Sequence, residues 1–207
     1  MFIELLDGLR CVSEHPQIPL VTAITKRDDR FVIEGIVGCP TCRQEYPIRD
    51  GIAWFGSSSE VAVTQPNVLS DDVDGAMRIG AFLLVSDGIT IALVGEWARY
   101  SLELSAMVGL RAFAVNPQSA VGESERVGVV CSDNRLPFTD GSLRGLAIDE
   151  SGWTERDIEL AVRALSSGGR MVAPASLEVP GDVEEIARDE DVWIGEKRGP
   201  LVTLHRR

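Results

Sequence analysis

The hydrophobic pattern changes period along the 207 residues. Residues 21–25 and 30–37 alternate apolar or β-branched with polar positions, and the charged Lys26-Arg27-Asp28-Asp29 lies between them. A period of two interrupted by a charged turn predicts a hairpin. Residues 2–9 form a short amphipathic segment ahead of it. Further on, Ala76, Met77, Ile79, Gly80, Leu83 and Leu84 recur at helical spacing behind Asp71-Asp72-Val73-Asp74. Acids favour the positive end of a helix, so this cluster reads as a solvated first turn rather than as a metal site.

From Gly88 onward, short apolar runs alternate with helically spaced stretches. They predict strands over 89–94, 111–115, 127–131, 143–149 and 170–173, and helices over 97–108 and 154–165. Thr154 is placed to cap the second helix with Asp157 at N3, and Ser166-Ser167-Gly168-Gly169 to end it. Residues 183–188 precede two short runs, 192–196 and 201–205, whose Lys-Arg-Gly-Pro joint predicts a closing antiparallel hairpin. Alternation of this kind implies an α/β fold, a mostly parallel sheet covered on both faces. The predicted organisation is a compact β-rich module (1–56), a linker rich in Ser and Gly (57–70) and an α/β domain (71–207).

Composition narrows the function. At 44% hydrophobic and 25% charged, the chain has the make-up of a globular protein. No apolar run approaches the ~20 residues that span a bilayer. The first residues carry acids where a signal peptide needs bases, so a cytoplasmic location is expected. A net charge of -12 opposes general nucleic-acid binding, which needs basic surface to displace phosphate counterions.

Of the four cysteines, Cys39-Pro40-Thr41-Cys42 has the spacing at which two thiolates reach one tetrahedral zinc. With Leu9-Arg10-Cys11 upstream and Tyr46-Pro47-Ile48-Arg49-Asp50-Gly51-Ile52 downstream, residues 1–55 resemble the small zinc-ribbon proteins that activate tRNA and protein methyltransferases. In that family the first ligand pair is also Cys-x-x-Cys. Here Cys11-Val12-Ser13-Glu14-His15 has Glu14 at the second cysteine's position, and His15 follows it. The expected zinc ligands are Cys11, His15, Cys39 and Cys42, with Glu14 or water as alternatives to His15. The competing reading is a metal-free ribbon with Cys39 and Cys42 in its core.

The stretch Asp133-Asn134-Arg135-Leu136-Pro137-Phe138-Thr139-Asp140-Gly141-Ser142 resembles a segment of class I S-adenosylmethionine methyltransferases. The resemblance covers about 130 residues. It implies a Rossmann-like sheet with an antiparallel last strand and S-adenosylmethionine held by Gly95, Asn116 and Asp133. Asp133 would face the adenine amino group or, alternatively, cap its own turn. The sequence departs from the family at two points. Only Gly95 remains of the glycine loop, followed by Glu96, Trp97 and Ala98, and Asn116 replaces the acid that accepts the ribose hydroxyls. An amide lacks that acid's charge and its bidentate acceptance. Asp149 or Glu150 could serve as a base and Trp153 as a stacking surface, or the acids could be solvated or capping. A polar cluster of Arg135, Arg99 and Trp97 with Glu96 could substitute for bound cofactor, and Cys131 is expected in the core. No insertion after the fifth strand provides a substrate lid. These features imply a non-catalytic methyltransferase-like subunit with a protein partner. The alternatives are an active methyltransferase, or an activator of another one.

Overall fold

A computed structural model describes residues 1–56, 72–133, 135–150 and 152–199. The predicted linker (57–70) and the run 201–205 lie outside the described residues. The chain opens with helix α1 (Ile3–Leu6), then β1 (Val21–Asp28), β2 (Phe31–Gly38), β3 (Glu45–Arg49) and β4 (Ile52–Trp54). Helix α2 (Val73–Phe82) and β5 (Thr90–Val94) follow, then a 3-10 turn over Gly95–Tyr100 that runs into α3 (Ser101–Val108). The remainder is β6 (Arg111–Val115), β7 (Val127–Cys131), β8 (Leu143–Ala147), α4 (Glu155–Ala164), β9 (Leu165–Pro174), β10 (Val183–Arg188) and β11 (Val192–Lys197).

These strands form one sheet in the order β1-β2-β3-β4-β7-β6-β5-β8-β9-β11-β10. Its centre, from β4 to β9, is parallel. Both flanks are antiparallel. The expectation of a mostly parallel sheet therefore holds only for the centre. The reason is that hairpins, unlike parallel strands, need no crossover and extend a sheet cheaply at its edges. The join is β4, whose residues Ile52, Ala53 and Trp54 pair in parallel with Val129, Val130 and Cys131 of β7. The last strand, β11, lies antiparallel between β9 and β10. Among the described residues, the closing antiparallel hairpin is β10–β11.

Side chains alternate between two cores, as the pleat requires. Ile91 and Leu93 of β5 and Ala112 and Ala114 of β6 pack beneath α2 and α3, with Ile79, Leu83 and Leu104. Ala92, Val94, Phe113 and Val115 face the other way, toward α4 and the N-terminal residues Met1, Leu5, Leu6 and Leu9. Among the described residues, no helix lies between β6 and β7 or between β7 and β8. Helix α1 covers that face instead, so close that a Cβ on Gly128 would come 3.2 Å from Leu5 and from Phe113.

Local signals account for several boundaries. Asp72 caps α2 by accepting from the Gly75 amide at 2.8 Å, and Thr154 and Asp157 form the capping box of α4. Gly109 ends α3 in the left-handed region. The Ser166–Gly169 stretch does not terminate α4. The helix stops at Leu165, and β9 starts there with an irregular register against β8. The strand of the first hairpin runs on through the charged residues to Asp28, so the turn centres on Asp29, at φ 48°.

The Leu136-Pro137-Phe138 stretch ties the α/β part to the N-terminal segment. The Arg10 amide donates to the Pro137 carbonyl at 2.9 Å, and the Thr139 amide to that of Gly8 at 3.2 Å. Phe138 is fully buried, its ring 4.9 Å from that of Phe113. Gly141 adopts φ 72° in the turn that follows, a conformation that L side chains resist.

Candidate functional site

Two places could carry chemistry: the Cys/His corner of the N-terminal part, and the carboxyl ends of β5 to β8.

In the first, the chain brings Cys11, His15, Cys39 and Cys42 together, with one ligand atom from each within 4.8 Å of all the others. Cys39 and Cys42 sit on the turn between β2 and β3, held by the Cys39 amide on the Gln44 carbonyl and the Arg43 amide on the Cys39 carbonyl, each at 2.9 Å. The sulfurs of Cys11 and Cys42 are 3.5 Å apart, and Cys39 Sγ lies 3.2 Å from His15 Nε2. Ligands at ordinary Zn–S and Zn–N lengths of ~2.0–2.3 Å stand roughly 3.5–3.8 Å from one another in a tetrahedron. The Cys11–Cys42 separation matches that figure, the Cys39–His15 one is slightly shorter, and all four atoms lie within 4.8 Å of one another.

The surroundings fit it too. His15 Nδ1 donates to the Pro16 carbonyl at 2.8 Å, which turns Nε2 toward the Cys39 sulfur. Metal-binding imidazoles are oriented in this way. The Tyr46 hydroxyl lies 3.0 Å from Cys11 Sγ, and the Ser13 amide donates to the same sulfur at 3.4 Å. Burial acts to raise the Cys11 thiol, but the bonds from Tyr46 and Ser13 overcome it and bring the thiol down to about 6. The imidazole of His15 is raised to about 9, first by the Pro16 carbonyl and then by the sulfurs of Cys11 and Cys42. Glu14 is not part of the corner. Its carboxylate accepts from Arg156 at 2.7 Å and from Arg135 at 3.2 Å.

At the second place, the residues that the methyltransferase resemblance singled out all lie at the carboxyl ends of the central strands, where α/β sheets bind ligands. Gly95 follows β5 with φ 61°, and a Cβ there would overlap the Asp149 carboxylate. Asp149, which is buried, accepts from the Glu96 amide at 3.1 Å. Trp97 donates its indole N–H to the Ile148 carbonyl at 3.2 Å. Asn116, at the end of β6 with φ 48°, clamps the chain beyond β7. Its Nδ2 donates to the Ser132 carbonyl at 2.8 Å, and its Oδ1 accepts from the Ser132 amide at 2.9 Å. Asparagine tolerates this left-handed backbone better than most residues.

Asp133 sits next to Gly56, where a Cβ would come within 2.9 Å of its amide nitrogen. A cleft of about 680 Å³ opens beside Glu96, Trp97, Asp149 and Glu150, and neither Asn116 nor Asp133 lines it. Of the polar cluster expected from Arg135, Arg99, Trp97 and Glu96, the last three line this cleft and Arg135 does not. Arg135 donates to the Glu14 carboxylate at 3.2 Å, and Arg99 donates to the Tyr100 hydroxyl at 2.6 Å and lies 3.7 Å from Asp72. Cys131 packs in the core, where burial pushes its thiol up to about 12. Trp153 is only partly buried and packs against the core at the foot of α4.

Sequence reasoning missed the Tyr46 hydroxyl and the Arg135–Glu14–Arg156 link. Neither carries a spacing signal, because each depends on pairing between distant segments.

No family model matches the chain, and no curated protein matches it. Solved structures similar to parts of it include the [4+2]-cyclase SpnF, at 20% identity over 52% of this chain and 47% of that one, with a TM-score of 0.42. Geranyl diphosphate C-methyltransferase from Streptomyces coelicolor A3(2) is similar at 21% identity over 49% and 44%, TM-score 0.41. Phosphoethanolamine N-methyltransferase 2 of Haemonchus contortus is similar at 18% over 54% and 30%, TM-score 0.44. The chain spans less than half the length of each. The strand order itself is the firmer observation. Six parallel strands, in the order β4-β7-β6-β5-β8-β9, form the centre, and an antiparallel last strand, β11, is inserted before the edge. A parallel centre with an antiparallel last strand is the Rossmann-like arrangement that the methyltransferase resemblance implies. Among the described residues, no helix is long and apolar enough to cross a membrane.

Proposed function

We propose that this chain is a non-catalytic, methyltransferase-like binding subunit, cytoplasmic and stabilised by a metal at its Cys/His corner. The observation that carries the reading is the use made of the cofactor-side groups. Asp149 caps the Glu96 amide above Gly95, and both polar atoms of Asn116 are spent on Ser132. A nucleoside cofactor would have to displace these bonds, and buried polar groups left without partners cost about 1–3 kcal/mol each. The residues present therefore do not fit S-adenosylmethionine as they stand.

Cys11, His15, Cys39 and Cys42 would hold a zinc ion. Four protein ligands leave no open position, so the metal's contribution would be to folding rather than to catalysis. A protein partner is the expected ligand of such a subunit.

One observation favours the competing reading of an active S-adenosylmethionine-dependent methyltransferase. The 680 Å³ cleft lies beside Glu96 and Asp149, at the strand ends where a cofactor would enter. Calorimetric titration of the purified protein with S-adenosylmethionine and S-adenosylhomocysteine separates the two. The non-catalytic reading expects no heat of binding up to millimolar ligand. Micromolar affinity would overturn it and make Asp149 a candidate group near the methyl acceptor.

A further inference from the structure

The chain carries twelve more acidic than basic residues, 32 against 20, yet four arginines converge on one small cavity that borders the Cys/His corner at His15. Arg10, Arg135, Arg156 and Arg163 line a space of about 280 Å³ between the segment around His15, the Leu136 turn and α4. The acids within reach are fewer. Glu14 is shared by Arg135 and Arg156, and Asp140 pairs with Arg163 at 3.0 Å. Arg10 spends its Nε on the Phe138 carbonyl, and burial pulls its guanidinium below its ordinary value.

A second observation points the same way. Gln17, on the cavity wall, accepts from the Asp140 amide through Oε1 at 3.0 Å. Its Nε2 is buried without an acceptor. A buried amide donor lacking a partner costs free energy that a bound acceptor would recover. Guanidinium groups are donors only, and their planar forks match the oxygens of phosphate or carboxylate. Glu14 shows how one such oxyanion is held, since a single oxygen bridges Arg135 and Arg156.

We propose that this arginine-lined cavity binds the phosphate group of a small molecule, which takes the place of the Glu14 carboxylate between Arg135 and Arg156 and accepts from Arg163 and Gln17. The volume is at the small end for ligand sites, so it suits a phosphate group rather than a whole nucleotide. The proposal does not depend on methyl transfer or its absence.

The test is isothermal titration of the intact protein with inorganic phosphate, with sodium chloride holding the ionic strength constant so that screening is equal throughout. The expected result is saturable one-to-one binding that chloride alone does not reproduce. It should weaken about ten-fold or more in Arg156→Gln and in Arg163→Gln, which corresponds to about 1.4 kcal/mol. In Glu14→Gln it should strengthen, because the competing carboxylate is gone. All three positions are exposed, with side chains 69%, 56% and 64% accessible, so the variants should retain the wild-type circular dichroism spectrum. Three results would overturn the proposal: no saturation at millimolar phosphate, affinity unchanged in both arginine variants, or weaker binding in Glu14→Gln. Any of these would leave the arginines as a latch holding the Cys11–Gln17 segment on α4.

Discussion

The Cys/His corner and the crevice at the ends of β5–β8 were both marked by sequence motifs, and the structure treats them in opposite ways. In the corner, four donor atoms converge on a common point and the groups around them all support that convergence. The Pro16 carbonyl turns His15, while Tyr46 and Ser13 hold the Cys11 sulfur. In the crevice, the polar groups have turned onto one another. Asp149 serves the Glu96 amide, and Asn116 serves Ser132. Polar groups that face a shared empty centre indicate a ligand. Polar groups that satisfy each other indicate scaffold. The difference separates a place where potential ligand atoms are gathered from one where polar side chains already serve the backbone around them.

The largest effect should come from emptying the corner. If it holds zinc, elemental analysis should find one ion per chain, and a strong chelator should remove it. Unfolding should then occur ~10 °C lower or more, because metal-binding energy in structural sites is folding energy. Cys39→Ser should lower the midpoint similarly and make it insensitive to chelator. A midpoint that ignores both treatments would mean the corner is ordinary packing, and the contrast with the crevice would vanish.

A second effect tests the crevice. Gly95→Ala forces a side chain into the Asp149 carboxylate at a positive φ, which should cost about 3 kcal/mol in urea unfolding. Adding Asp149→Ala should recover part of that loss, because the overlap is removed. Contacting residues are non-additive in this sense. Strict additivity would show that Asp149 does not occupy the glycine turn, and so would reopen the crevice to a cofactor.

The smallest effect concerns scaffold away from both places. Asp72 accepts from the Tyr100 hydroxyl at 2.6 Å and from the Gly75 amide. These bonds, the hydroxyl's first, hold its carboxyl below the ordinary value. A depressed folded-state pKa contributes stability above the unfolded value near ~4 and loses it as pH falls through the lower one. Asp72→Ala should therefore lower the midpoint at neutral pH by about 3 °C. The gap from the wild type should close in acid. A gap that persists below pH ~3 would assign the effect to packing of the methylene rather than to the charge.

Much of the α/β part could be read from the chain alone. The apolar runs 111–115 and 127–131 coincide with β6 and β7, and the Thr154–Asp157 box and the Asp72 cap lie where their residue types place them. So do the types of the metal-competent residues, since Cys39 and Cys42 are close in sequence and their turn is local. Local periodicity and capping depend on neighbours within a few residues, which the sequence displays directly.

What the sequence could not display was everything settled by distant segments meeting. It gave no sign that β4 would dock in parallel on β7 and merge the N-terminal hairpins with the α/β sheet. Nor did it show that Glu14 would leave the metal corner for Arg156, 142 residues away, or that Arg135 would abandon the crevice to follow it. Charge and hydrogen-bond capacity are properties of single residues and can be read in the chain. Which of several partners a flexible side chain takes depends on where the backbone carries each of them, and only the packed core decides that.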